Sequence, residues 1–201
     1  MKRVIFVVFV AASVNAAAQQ QSGLFRDPDS GVTFRYPAAW ATADRQPFMF
    51  PLLVSEPGKM PRMLVFTRTI RGVSHWPTTE FGGAAFGYDI RRAASPEECH
   101  SLALPAVKHA TRKGQVTLQG LNYWRSTCGD GGMSQQLTED IYATYVASSN
   151  SCLLFDFGLS TVLAPGAVPP RALNASERGI LQRLEMNILA SIRVPKAASV
   201  Q

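Results

Sequence analysis

The residues richest in chemical potential stand in one run, Glu97-Glu98-Cys99-His100, of a 201-residue chain. A cysteine in the first turn of a helix feels the positive end of the helix dipole, which lowers its pKa and raises its content of nucleophilic thiolate. The neighbouring carboxylates act in the opposite sense. Adjacent residues on a helix also project about 100° apart, so Cys99 and His100 do not form a nucleophile–base pair. The nearest approach to a strained serine turn, Gly132-Met133-Ser134-Gln135-Gln136, lacks the closing glycine and lies in a strand pattern. His75, His100 and His109 are widely spaced and no Cys-x-x-Cys pair exists, so no metal site and no cofactor is expected.

The cysteines read better as structure than as chemistry. Three of them allow one crosslink and leave one thiol over. Cys128 and Cys152 fall at opposite ends of a predicted strand of about 15 residues at roughly 3.3 Å each, whereas a disulfide needs Cα atoms within about 7 Å. The helix starting near Cys99 runs away from the point to which the strand ending at Cys128 returns, which makes Cys99–Cys128 the first choice. Cys99–Cys152 is the alternative, because the helix is much shorter than the strand.

Such a crosslink requires an oxidising compartment, and the N-terminus predicts one. Lys2 and Arg3 precede a mostly apolar stretch from Val4 to Val14, and Ala16-Ala17-Ala18 supplies the small residues of a cleavage site, placing cleavage between Ala18 and Gln19. Eleven apolar residues are too few for a span, which needs about 20. No later stretch is long and apolar enough, and the first cysteine is Cys99, so neither a transmembrane segment nor an N-terminal lipid anchor is expected. A secreted or periplasmic protein follows, with residues 19–201 as one domain.

Composition narrows the partners. The chain is 46% hydrophobic and 17% charged, which excludes disorder and requires a core. Its formal charge of +6 falls to +4 once the two cations of residues 1–18 are removed. The remaining basic residues are scattered rather than gathered among aromatics, so nucleic acid is not an expected partner.

Periodicity then supplies the elements. Val32, Phe34 and Tyr36 alternate with Thr33 and Arg35 after the turn residues Asp27-Pro28-Asp29-Ser30-Gly31, predicting a hairpin with Trp40 packed over it. Phe48–Val54 is an edge or bulged strand because it contains Pro51, and Met63–Ile70 is a cleaner one. Phe81, Ala85 and Tyr88 lie at helical spacing, although Gly82, Gly83 and Gly87 each weaken a helix by roughly 1 kcal/mol. Ser95-Pro96-Glu97-Glu98 is a strong helix start. Val116–Cys128, Met133–Ala147 and Cys152–Leu159 predict an antiparallel meander with turns at 129–132 and 148–150. After a Pro/Gly/Ala-rich loop, Asn174 and Glu177 cap a last helix with Leu181, Leu184, Ile188 and Ile192 on its buried stripe. The fold class is α+β, an antiparallel sheet flanked by helices.

The run Gly31-Val32-Thr33-Phe34-Arg35-Tyr36-Pro37-Ala38-Ala39-Trp40 resembles the opening signature of the PsbP-like proteins, and the order of middle helical region, meander and closing helix ending Leu189-Ala190-Ser191-Ile192-Arg193 agrees with it. The resemblance implies an α/β/α sandwich in a family whose members act as non-enzymatic binding or assembly factors, among them an extrinsic photosystem subunit, a Ran-GTPase-binding protein and bacterial envelope lipoproteins. The chain departs from the lipoproteins in lacking their lipidated cysteine. No functional residue carries over, since Gly31, Tyr36, Pro37 and Trp40 are explained by the fold.

Two functions are therefore weighed. The first is an exported non-catalytic binding or assembly protein of the cell envelope that takes a protein or a small apolar ligand. The loop containing Arg71, His75 and Trp76 is its expected contact site, because arginine and tryptophan are favoured interface anchors. The second is a secreted hydrolase with a dispersed active site, which would need polar groups converging in a pocket around Cys99 or His75.

Overall fold

A computed structural model of the chain describes residues 22–43, 60–67, 79–104, 111–132, 135–162 and 171–195. Two short strands, β1 (Ser22–Arg26) and β2 (Thr33–Pro37), form the expected hairpin. Its turn closes through Gly31 N–H donating to the Asp27 carbonyl at 2.9 Å. Gly31 is required there twice over: its φ is +69°, and a Cβ at this position would come within 2.9 Å of Pro195.

The remaining strands make one sheet. They are β3 (Ala41–Thr42), β4 (Met63–Thr67), β5 (Phe81–Arg92), β6 (Thr111–Leu118), β7 (Leu121–Gly132), β8 (Gln135–Val146) and β9 (Ser151–Val162). Their order is β3-β4-β5-β9-β8-β7-β6, with every neighbouring pair antiparallel. Among the described residues two α-helices, α1 (Pro96–Leu102) and α2 (Ala175–Ser191), accompany the sheet. The hairpin and α2 share one core with the sheet residues Phe86, Tyr88, Tyr142 and Phe155. On the other face, Cys99 and Ala103 of the α1 region meet Ala85, Ile141, Ala143 and Leu154. This is the antiparallel sheet flanked by helices that the sequence predicts.

Both helix starts form as expected. Glu98 N–H donates to Ser95 Oγ at 3.2 Å, and Ala94 N–H donates to the Glu98 carboxylate at 2.6 Å, so α1 is capped from both directions. At α2 a reciprocal box joins Glu177 N–H to Asn174 Oδ1 at 3.0 Å and Asn174 N–H to Glu177 Oε2 at 2.8 Å. Leu181, Ile188 and Ile192 are buried along the expected stripe, with Leu184 half-buried.

Three expectations are corrected. The helix over Phe81–Tyr88 is the central strand β5, between β4 and β9. Ala84, Phe86 and Tyr88 enter the α2-side core and Ala85 the α1-side core, so neither face is polar and the period of two is hidden. The single strand Val116–Cys128 is two strands, β6 and β7, turned at Gln119-Gly120, where both residues have positive φ. The strand β7 also runs through the expected glycine turn to Gly132, which pairs with Gln135. Trp40 is buried, and its ring lies 6.3 Å from Phe157 of the sheet. Phe48–Val54, the end of Met63–Ile70, the loop 164–170 and the leader 1–18 with its cleavage positions Ala18 and Gln19 lie outside the described residues, as do Arg71, His75 and Trp76.

Candidate functional site

Each member of the Glu97–His100 run except exposed Glu97 has a structural task. Glu98 caps α1, His100 is buried with its ring stacked 4.2 Å from Trp124, and Cys99 forms a disulfide. The partner is Cys152, at a Cα separation of 5.1 Å. This corrects the first choice, Cys99–Cys128, in favour of the alternative. The reason lies in β5: it ends at Arg92, paired with Ser151, so the chain enters α1 beside the start of β9, where Cys152 stands. Cys128 is buried and free, and it faces Glu139 of β8, at the other end of that strand from Tyr145, the residue opposite Cys152. Burial, and then the charges of Glu139 and Asp156, push the Cys128 thiol pKa up, and its thiol donates to Glu139 at 3.5 Å. Neither cysteine supplies a thiolate.

The more open geometry lies where β5 and β8 end and β9 begins. The register sets Ile90 opposite Leu153 and Val146 opposite Ser151, and the hairpin turn and the segment after α2 close over them. The result is a cavity of about 360 Å³. Its apolar walls are Val32, Ile90, Val146, Leu153, Val194 and Pro195, and its polar rim comprises Asp29, Ser30, Arg62 and the serines at 148, 149 and 151.

A hydrogen-bonded network holds that rim. Asp27 is buried and accepts from Ser30 Oγ at 2.8 Å, Tyr88 Oη at 3.0 Å, Asp29 N–H at 3.0 Å and Arg62 Nη1 at 3.1 Å. Burial works against its ionised form, but the bonds from Ser30, Asp29 N–H and Tyr88 and the Arg62 charge outweigh it, holding the carboxyl below the ordinary aspartate range. Burial, together with the Asp27 charge, raises the Tyr88 pKa, so its hydroxyl remains a donor. Arg62 Nη1 also reaches Asp29 at 2.7 Å. The Asp27–Gly31 turn was legible as a turn. Its link to Tyr88, 61 residues away, was not.

A second polar group sits beneath α2. Glu185, in the middle of the apolar stripe, is 5% exposed and accepts from Tyr142 Oη at 2.7 Å. Burial pushes its pKa up to about 7; Asp140 adds to the rise, while the Tyr142 bond and Arg125 oppose it. Arg125 is itself paired with Asp140 at 3.0 Å. Through the Tyr142 bond Glu185 ties α2 to strand β8 of the sheet. Among the described residues, no three His, Cys, Asp or Glu side chains are grouped to hold a metal ion, and no helix is long and apolar enough to cross a membrane.

No family model and no curated protein sequence matches the chain. Solved structures match it in shape. LpqN of Mycobacterium tuberculosis, described as involved in cell envelope biogenesis, matches at 11% identity over 87% of this chain and 91% of its own, with a TM-score of 0.50. The Ran-binding protein Mog1p of Saccharomyces cerevisiae matches at 9% identity over 87% and 96%, with a TM-score of 0.48. The cyanobacterial PsbP (CyanoP) of Synechocystis sp. PCC 6803 matches at 11% over 92% and 99%, with a TM-score of 0.42. The chain spans half the length of a matched Bacteroides thetaiotaomicron structure. The likeness to LpqN speaks for a shared fold alone.

Proposed function

We propose that the protein is an exported, non-catalytic binding protein of the cell envelope or its surroundings, and that it takes a small apolar ligand in the strand-end cavity. The carrying observation is that cavity: about 360 Å³, with six apolar and six polar lining residues, a size and a mixed lining that suit a ligand site. Export is supported by the leader-like residues 1–18 and by the Cys99–Cys152 disulfide, which suits an oxidising compartment. LpqN, the envelope-biogenesis protein sharing the fold, is compatible with such a setting. The hydrolase reading loses its best nucleophile, because Cys99 is held in the disulfide. A protein partner would engage the Arg71–Trp76 loop instead.

The test uses N-phenyl-1-naphthylamine, an uncharged dye that fluoresces on entering an apolar site. Saturable one-to-one binding is expected, lost in Val194→Trp, which fills the cavity from a segment outside the sheet. Absence of binding, or equal binding by the folded variant, would count against the cavity as the ligand site.

A further inference from the structure

The rim of this cavity carries a formal imbalance that its geometry resolves. One guanidinium nitrogen, Arg62 Nη1, bridges Asp27 Oδ1 at 3.1 Å and Asp29 Oδ2 at 2.7 Å. The Asp27 carboxylate is further occupied by Ser30 Oγ, Tyr88 Oη and the Asp29 backbone N–H. Asp27 therefore has nothing to offer a ligand. Among the described residues, no hydrogen bond engages Asp29 Oδ1, Arg62 Nε, Arg62 Nη2 or Ser148 Oγ, although all three residues line the cavity. The unused groups thus include donors, an acceptor and a hydroxyl that can be either.

We propose that the ligand of this cavity is an uncharged amphiphile, an apolar body with a head group that both donates and accepts hydrogen bonds, such as an alcohol or a primary amide. The inference rests on the cavity being the binding site and adds the chemistry of what enters it. Every charge on the rim already faces an opposite one. An anionic head would approach Arg62 with Asp29 beside it, and a cationic head would approach Asp29 with Arg62 beside it. Either would meet one opposite and one like charge side by side and gain no net attraction, whereas an uncharged hydroxyl or amide can accept from Arg62 and donate to Asp29 at once. Arg91 and Arg193, which adjoin the lining residues Ile90 and Val194 in sequence, and Arg92, opposite Ser151, do not line the cavity. The body of the ligand is also bounded. A cavity of about 150 Å³ accepts benzene, so 360 Å³ accommodates more than twice that molecule, on the order of fifteen non-hydrogen atoms, the size range of a ten-carbon chain or of the dye.

Three ten-carbon competitors separate the possibilities: 1-decanol, decanoate and decylammonium, each displacing N-phenyl-1-naphthylamine from the full exported protein at neutral pH. Decanol is expected to displace the dye at concentrations at least tenfold lower than either ion, and this preference is expected to vanish in Val194→Trp together with dye binding. Equal or better displacement by decanoate or decylammonium would overturn the uncharged-head assignment while leaving the cavity intact. Dye and decanol binding that persist unchanged in Val194→Trp would instead overturn the cavity reading and the assignment with it. A second filling variant, Ser151→Trp, serves if Val194→Trp does not fold, with the same expected loss.

Discussion

The two faces of the seven-stranded sheet are held by different physics. Against α2 and the hairpin, Phe34, Phe86, Tyr88, Tyr123 and Phe155 meet in a continuous set of ring contacts with centroids 5.2–6.4 Å apart. Against α1, the buried side chains are mostly small: Ala85, Ala93, Ala103, Ala143 and the cysteines. The first face is covered by a helix of 17 residues, the second by one of 7. Aromatic rings bury a large area in this layer, and each ring pair is worth roughly 0.5–1.5 kcal/mol beyond the burial itself. A two-turn helix on alanines has no such reserve, and there a covalent bond, Cys99–Cys152, does the joining. The cavity opens where the aromatic layer ends, between the hairpin turn and the strand ends.

The comparison is broken most severely from the aromatic side. Phe155 touches the rings of Phe34, Phe86, Tyr88 and Tyr123, so Phe155→Ala is expected to cost about 4 kcal/mol in urea unfolding. A loss under about 1 kcal/mol would show that the ring layer is not the main source of cohesion. On the other face, replacing Cys99 and Cys152 by alanine is expected to cost about 2–4 kcal/mol. Non-reducing peptide mapping should recover these two cysteines together and Cys128 as a free thiol alkylated only after unfolding.

The smallest effect sharpens the contrast by pH. Glu185 is a strongly raised carboxyl in the α2 interface, with a pKa of about 7 in the folded protein against an ordinary value of 4.5. The folded state therefore binds the proton more tightly than the unfolded state. Stability from this group is complete below about pH 4.5, falls as pH rises through the window from 4.5 to 7, and levels off above it. Glu185→Gln keeps an acceptor for Tyr142 and removes the titration. The variant is expected to match the original protein near pH 4 and to exceed it by about 3 kcal/mol at pH 8. Equal stability at both pH values would place Glu185 in water rather than under the helix.

Local signals were legible and long-range ones were not. Ser95, Pro96 and Glu98 announce α1, and Asn174 with Glu177 announces α2, because a cap is completed within four residues of sequence. The alternation of Val32, Phe34 and Tyr36 announces the hairpin because one side of it faces water. Strand β5 was hidden because both its faces are covered, leaving Phe81, Ala85 and Tyr88 at a spacing that imitates a helix. That error propagated: without β5 ending beside the start of β9, Cys99–Cys152 ranked second to Cys99–Cys128, and the walls supplied by Ile90 and Leu153 could not be seen to converge. Asp27 and Tyr88 illustrate the general limit, since a turn aspartate and a strand tyrosine become a network only when the hairpin folds onto the sheet.

The central claim, a ligand site at the ends of β5, β8 and β9, is tested most directly by titrating 1-decanol into isotopically labelled protein and mapping the backbone amide shifts. Saturable shifts are predicted for Ser30, Ile90, Ser149, Leu153 and Val194, with the distant edge residues Thr117 and Asn122 unmoved. Shifts scattered over the surface, or confined to residues away from this end of the sheet, would contradict it.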